Sequence, residues 1–439
     1  MEIVDQSEKL YKRGVGIVPR GTHSDSRVRV PHPHYFARAH GAWVVDADGN
    51  QYLDCIMGNG AVMLGHAHPD VSRRVQRQIE TGLGAGLEGE LSIVAAEQFL
   101  THISTAEQVR FTNTGTEASM HAISMARAYT GKNDIAKPEG SYHGWSDFVF
   151  VSSFPDAESG GDPACPSSVA GSTGLHPAAV ASTLVVPFND IENTEVLLRS
   201  NAHRLAAVVV EPIMIDVGWI PARKDYLQSL RRLTHELGIV LIFDELLTGF
   251  RLVQGSAQQF YGVTPDLSIF GKALGNGFII AAVAGRASLM APDGPTRNRY
   301  AFVGTFNSHQ ASLAACSAVL ETISDGTVVR RLNERLLQMR QEFEGIAKTL
   351  GVAVKMVGGG GHFHWYFTET APTNYREILK SDAKAYQVFV RALTENRVLC
   401  APNYIQHHAL SAAHGDAEAE FLLAAMRTGL EAVARSQRL

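Results

Sequence analysis

The sequence predicts an α/β protein whose core is a mostly parallel sheet with helices on both faces. Short, continuously apolar segments are typical of strands buried on both sides, and LAAVVVEP (205–212), IVLIFDE (239–245) and LSIFG (267–271) are of this kind. An amphipathic helix that ends at a glycine, DYLQSLRRLTHELG (225–238), lies between the first two. This alternation favours parallel strands joined by crossover helices.

The remaining segments continue this pattern in the middle of the chain. QVRFTN (108–113) predicts a strand, and TEASMHAISMARAYTG (116–131) predicts the helix that follows it. The stretch 153–174 is rich in Gly, Ser, Pro and Ala. A loop of this length inside a compact domain indicates either a lid or ordered active-site loop, or a mobile surface loop.

Both ends of the chain have a different character. Residues 42–56 predict a hairpin with Asp-Gly turn chemistry at 48–49. After about residue 325, a long amphipathic helix, a glycine run and the strand-like HFHWYF predict an α+β unit. We therefore expect a small domain built from both termini, around one large central domain. The predicted boundaries are 1–58, 59–325 and 326–439.

Composition narrows the class of protein. The 439 residues are 45% hydrophobic and 19% charged, with a net charge of −5 and no basic run, which argues against nucleic acid or an anionic membrane as the main partner. The four cysteines are far apart, which favours a reducing compartment over a disulfide or zinc framework. We see neither a signal peptide nor a run of about 20 apolar residues. The expectation is a cytoplasmic enzyme.

Polar residues follow four of the predicted strands at the point where each strand ends. Thr114, Gly115 and Thr116 follow QVRFTN, while Glu211, Asp244 and Lys272 follow or end the three later strands. Ligands of open parallel sheets bind at the carboxyl ends of the strands. The sequence therefore predicts that these residues lie along one edge of the sheet.

Each of these residues also has a simpler interpretation. The Thr-Gly-Thr turn could only cap its helix, although a helix N-terminus flanked by hydroxyls also binds phosphate well. Glu211 could form a structural ion pair. Asp244 needs a partner if it is buried, and a salt bridge to Lys272 would supply one.

One cofactor would use the whole set. Pyridoxal 5'-phosphate (PLP) forms a Schiff base with a lysine amine, and an acidic residue at its ring nitrogen makes the ring an electron sink. A helix N-terminus would hold its phosphate. The rival motifs are weaker, because GKALGNG has the wrong order for a P-loop and GNGAVMLG lacks the third glycine of GxGxxG. His66 and His68 have no evident third ligand, so we predict no metal site.

Motifs along nearly the whole chain carry a family resemblance. The chain resembles the class III (subgroup II) aminotransferases of PLP fold type I, and is especially similar to their glutamate-1-semialdehyde 2,1-aminomutase branch. The matching stretches run from about residue 16 to 405 and include GAWVVDADGNQYLD, LGHAHPDV, RFTNTGTEA, EGSYHGWSD, LIFDELLTGFR, YGVTPDLSIFGKALGNG and VGTFNSHQASLAA.

This resemblance implies a fold and a set of roles. It implies a seven-stranded sheet in the large, PLP-binding domain. Lys272 matches the Schiff-base lysine that also moves the proton, and Asp244 matches the partner of the ring nitrogen. The other implied cofactor contacts are the phosphate turn at Thr114, Gly115 and Thr116, the ring-stacking Tyr142, Glu211 beneath the cofactor, and Thr305. Thr305 matches a residue that reaches the phosphate from the other subunit, which implies a homodimer with shared active sites.

The predicted substrate contacts depart from the aminomutase pattern. Arg27 falls where that branch places an arginine for the substrate carboxylate, although Arg29 is two residues away and either arginine could be a surface charge. Asn59 stands where the pattern has a tryptophan, and Gln406 stands where it has a glutamate. The amide expected near the cofactor hydroxyl has no clear match, and Met214 and Asp216 occupy that neighbourhood.

These departures favour the same machinery on a different substrate. The expected activity is PLP-dependent transfer of an amino group from an amino acid, or another carboxylate-bearing amine, to a carbonyl acceptor. The alternative is the intramolecular reaction of glutamate-1-semialdehyde aminomutase. An amino-acid racemase would need a second base on the opposite face of the ring. A non-catalytic scaffold would be expected to lack the lysine or the aspartate, and both are present.

Overall fold

The computed structural model describes residues 5–84, 86–291 and 300–438. Within these ranges the strands are β1 (Phe36–His40), β2 (Trp43–Asp46), β3 (Gln51–Asp54), β4 (Gln108–Thr112), β5 (Asp134–Pro138), β6 (Thr183–Val186), β7 (Leu205–Val210), β8 (Ile213–Met214), β9 (Ile220–Pro221), β10 (Val240–Asp244), β11 (Leu267–Phe270), β12 (Ala281–Gly285), β13 (Lys355–Gly359), β14 (His362–Tyr366), β15 (Val398–Leu399) and β16 (His408–Ala409).

The same ranges contain the α-helices α1 (Gln6–Gly14), α2 (Pro69–Thr81), α3 (Glu90–His102), α4 (Gly115–Thr130), α5 (Pro177–Ala181), α6 (Ile191–Asn201), α7 (Lys224–Glu236), α8 (Ala257–Tyr261), α9 (Ala287–Met290), α10 (Gln310–Thr322), α11 (Thr327–Leu350), α12 (Tyr375–Ile378), α13 (Ala383–Glu395) and α14 (Asp416–Ser436). Short 3₁₀ turns span Pro19–Gly21, Asp25–Arg27 and Lys272–Gly275. No helix in the described part of the chain is both long enough and apolar enough to cross a bilayer.

The large sheet has seven strands in the order β4-β12-β11-β10-β7-β5-β6. Its neighbours are parallel except at β12, which is antiparallel to both β11 and β4. The other six strands therefore point the same way, and their carboxyl ends meet at one edge. Every residue of β7 and β10 is buried, as their apolar sequences predict for strands covered on both faces. The predicted α/β fold with a mostly parallel seven-stranded sheet is confirmed.

Smaller sheets join distant parts of the chain. The predicted hairpin is formed by β2 and β3, and β15, near the C-terminus, pairs in parallel with β3. The three-stranded sheet β13-β14-β16 is built from the C-terminal part alone. The N-terminal and C-terminal segments thus share one sheet, while the domain boundaries at 58 and 325 stay predictions.

The helix α4 connects the large sheet to the site. It packs on β7, β10, β11 and β12, and its inner face is buried through Ala118, Ala122, Ile123 and Ala126. It begins at Gly115, three residues after β4 ends, so its N-terminus lies at the carboxyl edge of the sheet. Packing in the core of the molecule therefore holds the polar end of this helix in place.

Candidate active site

β11 ends at Phe270 and is followed by Gly271 and then Lys272. Lys272 has a strained backbone conformation. Its φ is +47°, which is uncommon for a residue with a side chain. Its amine lies 3.8 Å from Asp216 Oδ1, and its side chain is only 25% exposed. Such strain costs about 1–3 kcal/mol and is characteristic of functional sites, where the surrounding structure has to enforce it.

Asp244 ends β10 and is almost fully buried. Its Oδ2 lies 2.7 Å from His143 Nδ1, and its Oδ1 accepts a hydrogen bond of 3.0 Å from the backbone N–H of Leu246. The other ring nitrogen of His143 lies 3.0 Å from Ser141 Oγ. Burial lowers the pKa of His143 in spite of the carboxylate beside it, so the imidazole is neutral and donates its Nδ1–H to Asp244. The partner of Asp244 is thus His143, and the salt-bridge alternative with Lys272 is wrong, because Lys272 pairs with Asp216.

Glu211 directly follows β7 and is held by backbone groups. Its two carboxyl oxygens accept hydrogen bonds of 3.1 Å from the N–H groups of Tyr142 and Ile215. Burial raises the pKa of Glu211 well above its usual range, and the nearby Asp216 and Asp244 raise it further. Glu211 therefore links the Tyr142 segment to the turn after β8 through hydrogen bonds rather than through an ion pair.

The N-terminus of α4 has the features of a phosphate site. Thr114 is the N-cap, and its hydroxyl accepts a hydrogen bond of 3.1 Å from Glu117 N–H. Thr116 Oγ1 accepts one of 3.0 Å from Trp145 N–H. Gly144 has a φ of +100°, and a Cβ built there would lie 2.7 Å from Thr116 Oγ1. A glycine at 144 therefore lets the segment that carries Tyr142 approach the helix start.

A cavity of about 580 Å³ opens beside Asp216. Its lining includes Phe154 of the long loop, Asp216, Ile405 and Gln406. The ring of Phe154 stacks on that of Tyr142 with centroids 6.1 Å apart. Phe154 thus brings the start of the loop 153–174 to this cavity, and the lid or ordered active-site loop stays a prediction.

The predicted substrate contacts fall into two groups. Gln406 and Asn59 lie together, with Gln406 Nε2 3.5 Å from Asn59 Oδ1. Arg27 is exposed in the short turn Asp25–Arg27. Arg29 donates a hydrogen bond of 2.7 Å to the Cys400 carbonyl, which is a structural role. Asn59 and Gln406 are brought together, and Arg27 is not joined to them by any hydrogen bond within the described residues.

Thr305 lies on an exposed surface that carries both apolar and polar side chains. It is exposed, and it lines a second cavity of about 1050 Å³ together with Leu87, Ile93 and Phe306. Those three side chains are 80%, 60% and 65% exposed. Within the part of the chain that the structure describes, no hydrogen bond joins Thr305 to the other predicted site residues.

Comparison with known proteins accords with this geometry. Residues 25–416 match the family model described as aminotransferase class-III. A glutamate-1-semialdehyde 2,1-aminomutase of Methanothermobacter thermautotrophicus is 37% identical over 96% of this chain and 97% of its own. The chain belongs to the class-III aminotransferases. This family is PLP-dependent, and the predicted resemblance is confirmed.

Solved structures of other aminotransferases share the whole fold. An ω-transaminase from Sphaerobacter thermophilus is 34% identical, with a TM-score of 0.91 and 98% of each chain covered. A transaminase solved with PLP bound is 29% identical, with a TM-score of 0.89 and full coverage of both chains. The chain therefore has PLP fold type I, as the sequence resemblance implies.

Sequence reasoning missed two residues that the structure places beside the predicted site residues. His143 stands beside Tyr142 in SYHG, but its hydrogen bond to Asp244 spans 101 positions and leaves no local pattern. The sequence places Asp216 only in the neighbourhood where an amide is expected, and its approach to Lys272 depends on the turn between β8 and β9. Of the paired histidines 66 and 68, His66 has its Nε2 at 2.8 Å from Asp54 Oδ2, and no group of three potential metal ligands was found among the described residues.

The residues present fit PLP. A lysine amine, a buried carboxylate with its own imidazole partner, and a helix N-terminus flanked by hydroxyls occupy the carboxyl edge of one sheet. Gly144 and Gly115 supply close packing around that helix N-terminus, since a Cβ on Gly115 would lie 2.6 Å from Leu246 Cδ1. These are the groups that an aldehyde, a ring nitrogen and a phosphate each require.

Proposed function

We propose that this chain binds PLP at Lys272 and transfers an amino group from a carboxylate-bearing amine to a carbonyl acceptor. The observation that carries the proposal is the placement of Lys272, Asp244 and the N-terminus of α4 at one edge of the sheet. The strained backbone of Lys272 supports the same role.

The cofactor would supply an aldehyde for amine exchange and an electron-withdrawing ring. Asp244 would hold a proton at the ring nitrogen, and the hydrogen bond from His143 would fix its carboxylate in position. Thr114, Thr116 and the free N–H groups of α4 would bind the phosphate. The Lys272 amine would bind the aldehyde carbon and, when released, would carry a proton between donor and product.

The wall formed by Asn59 and Gln406 supports intermolecular transfer. Both side chains are neutral amides where the aminomutase pattern has a tryptophan and a glutamate, and they lie within 3.5 Å of each other. An intramolecular transfer must retain its intermediate in the site. A different pair of side chains at positions 59 and 406 would recognise a different substrate side chain. The aminomutase reaction is the second candidate, favoured by the 37% identity to an enzyme of that name.

We propose further that two copies of the chain form a homodimer. Thr305 lies on an exposed surface with Leu87, Ile93 and Phe306, and large apolar side chains exposed among polar ones are typical of protein interfaces. In a symmetric dimer this surface would face its own copy and bring Thr305 to the partner's phosphate site.

The experiment supplies PLP and a panel of amino donors, with and without a carbonyl acceptor. We expect catalytic formation of keto product only when the acceptor is present, and at most one equivalent per site without it. The matched control is Lys272→Ala, which should form no catalytic product. Conversion of glutamate-1-semialdehyde to 5-aminolevulinate without an acceptor would instead establish the aminomutase reaction and contradict the proposal.

A further inference from the structure

Asp216 lies between the reactive amine and a buried histidine. Its Oδ1 is 3.8 Å from Lys272 Nζ and 4.0 Å from His407 Nδ1. It belongs to the turn that follows β8, while Lys272 follows β11 and His407 precedes β16. Three separate elements of the fold thus converge on one carboxylate, which the predicted cofactor contacts leave without a role.

The charge on Asp216 depends on its neighbours. Burial raises the pKa of its carboxyl, the Lys272 ammonium opposes that rise, Asp244 adds to it and His143 opposes it. The titratable side chains that face it from the surrounding elements are Lys272, Asp244, His143, His407, Glu211, Tyr142 and Asp25. Lys272 is the cation that pairs with Asp216, so a positive charge on its amine and a negative charge on Asp216 stabilise each other.

His407 differs from His143 in having no hydrogen-bond partner among the described residues. Neither of its ring nitrogens has one within the described residues, although a backbone group of Asn59 lies near the ring without good hydrogen-bond geometry. Burial lowers the pKa of His407 well below its usual range, and Lys272 lowers it further. The ring is therefore neutral and has one N–H to donate. A shift of about 1 Å would bring it into hydrogen-bond range of Asp216.

We propose that Asp216 is the counter-ion of the free Lys272 amine, and that His407 positions the Asp216 carboxylate while Lys272 is bonded to the cofactor. The inference rests on the proposed role of Lys272. When its amine is free, it takes one proton from the donor and becomes an ammonium beside Asp216. The same proton then leaves Nζ for the product, so the amine returns to its neutral form and Asp216 gains no proton.

The first test measures Lys272 itself in the full-length, cofactor-free protein. An amine-acylating reagent reacts only with the neutral amine, and peptide mass spectrometry gives the rate at Lys272, with the exposed Lys224 as internal reference. Asp216→Asn should react about tenfold faster than wild type at about pH 7.5, because the neighbouring negative charge is lost. Asp216→Glu keeps the charge and should stay within about twofold of wild type.

The matched control is Asp225→Asn on α7, whose side chain is 74% exposed. It should leave the Lys272 rate unchanged. Identical Lys272 rates in wild type and Asp216→Asn across the pH range would overturn the counter-ion role. Asp216→Ser provides a second neutral variant if Asp216→Asn does not fold. Failure of the proposed function would look different, since Lys272 would then form no PLP adduct in any variant.

The second test addresses His407 in the PLP-loaded protein. His407→Phe removes the donor, whereas His407→Asn keeps one. In the cofactor-free protein, we expect Lys272 of His407→Phe to be acylated at the wild-type rate. In the PLP-loaded protein, we expect the same variant to shift the pH midpoint of the cofactor's visible absorbance change by about half a unit or more. His407→Asn should move it less. An unchanged midpoint in His407→Phe would overturn the positioning role.

Discussion

Two neighbouring regions of this molecule bury polar side chains in opposite ways. In the carboxylate site, made of Glu211, Asp244 and His143, both oxygens of each carboxylate and both ring nitrogens have a hydrogen-bond partner. In the histidine cluster, made of His362, His364, His407 and His408, each ring has at least one nitrogen without a partner among the described residues. His362 and His407 pack edge to face, with ring centroids 5.0 Å apart.

The difference shows what each region is built to do. A buried polar group with all its partners is held in one geometry, which suits a carboxylate that must face a fixed point on a cofactor. A buried group without a partner costs about 1–3 kcal/mol. Burial lowers the pKa of His362 and of His407 well below their usual range, with nearby Arg251 and Lys272 adding to the effect. The cluster therefore consists of neutral rings, which are sensitive to acid.

The largest expected effect comes from breaking the carboxylate site at Asp244. Asp244→Asn keeps the shape but removes the negative charge, so a proton at the ring nitrogen would no longer be stabilised. We expect the rate of amino transfer to fall by about 100-fold or more at saturating PLP. Steady-state kinetics would measure it, and Asp225→Asn serves as the surface control. A loss of less than about threefold would show that Asp244 does not have this role.

A smaller effect is expected in the histidine cluster, and it appears in stability rather than rate. A histidine whose folded-state pKa lies below the unfolded value of about 6.5 contributes full stability above that pH and loses it as the pH falls. The free energy of unfolding of the wild type should therefore fall by about 1 kcal/mol more than that of His362→Met when the pH is lowered from about 7.5 to 5.5. Chemical denaturation at both pH values measures this difference.

The control for that comparison is His235→Met, because His235 is exposed on α7. Its stability should fall with pH as wild type does. Equal losses in His362→Met and wild type would contradict the view that His362 is held neutral by burial.

An effect of about the same size, with the opposite pH dependence, is expected at Glu211. Its folded-state pKa is raised, so its contribution to stability is complete below about pH 4.3 and is lost as the pH rises toward the folded value. The free energy of unfolding of Glu211→Gln, measured relative to that of the wild type, should rise by about 1 kcal/mol between about pH 5 and 7.5. Denaturation curves would show this gain, and the exposed Glu420→Gln on α14 should not. A difference that is constant with pH would rule out a raised pKa.

Much of the fold was predictable because its signals are local. The strands that became β7, β10 and β11 are continuous apolar runs, and the helix α7 ends beside a glycine, so sequence periodicity located each of them. The ends of these strands then pointed to Glu211, Asp244 and Lys272. Rules for parallel sheets were enough to place all three at one edge.

The rest of the site was not predictable because its contacts are long-range. Asp216 approaches Lys272 only after the turn from β8 to β9 folds back toward β11. His143 and His407 carry no sequence pattern that separates a fully paired imidazole from an unpaired one. Arg27 and Arg29 are equivalent in sequence spacing, and only the folded chain shows that Arg29 is bonded to the Cys400 carbonyl while Arg27 is exposed.

The central claim is that Lys272 is the residue that bonds PLP, and reductive trapping tests it most directly. The full-length protein would be incubated with PLP, treated with borohydride and digested, and mass spectrometry would locate the modified lysine. The account predicts one modified site per chain, at Lys272, and none at the fully buried Lys137. An adduct mainly at another lysine, or uptake of PLP that is unchanged and still reducible in Lys272→Ala, would contradict it.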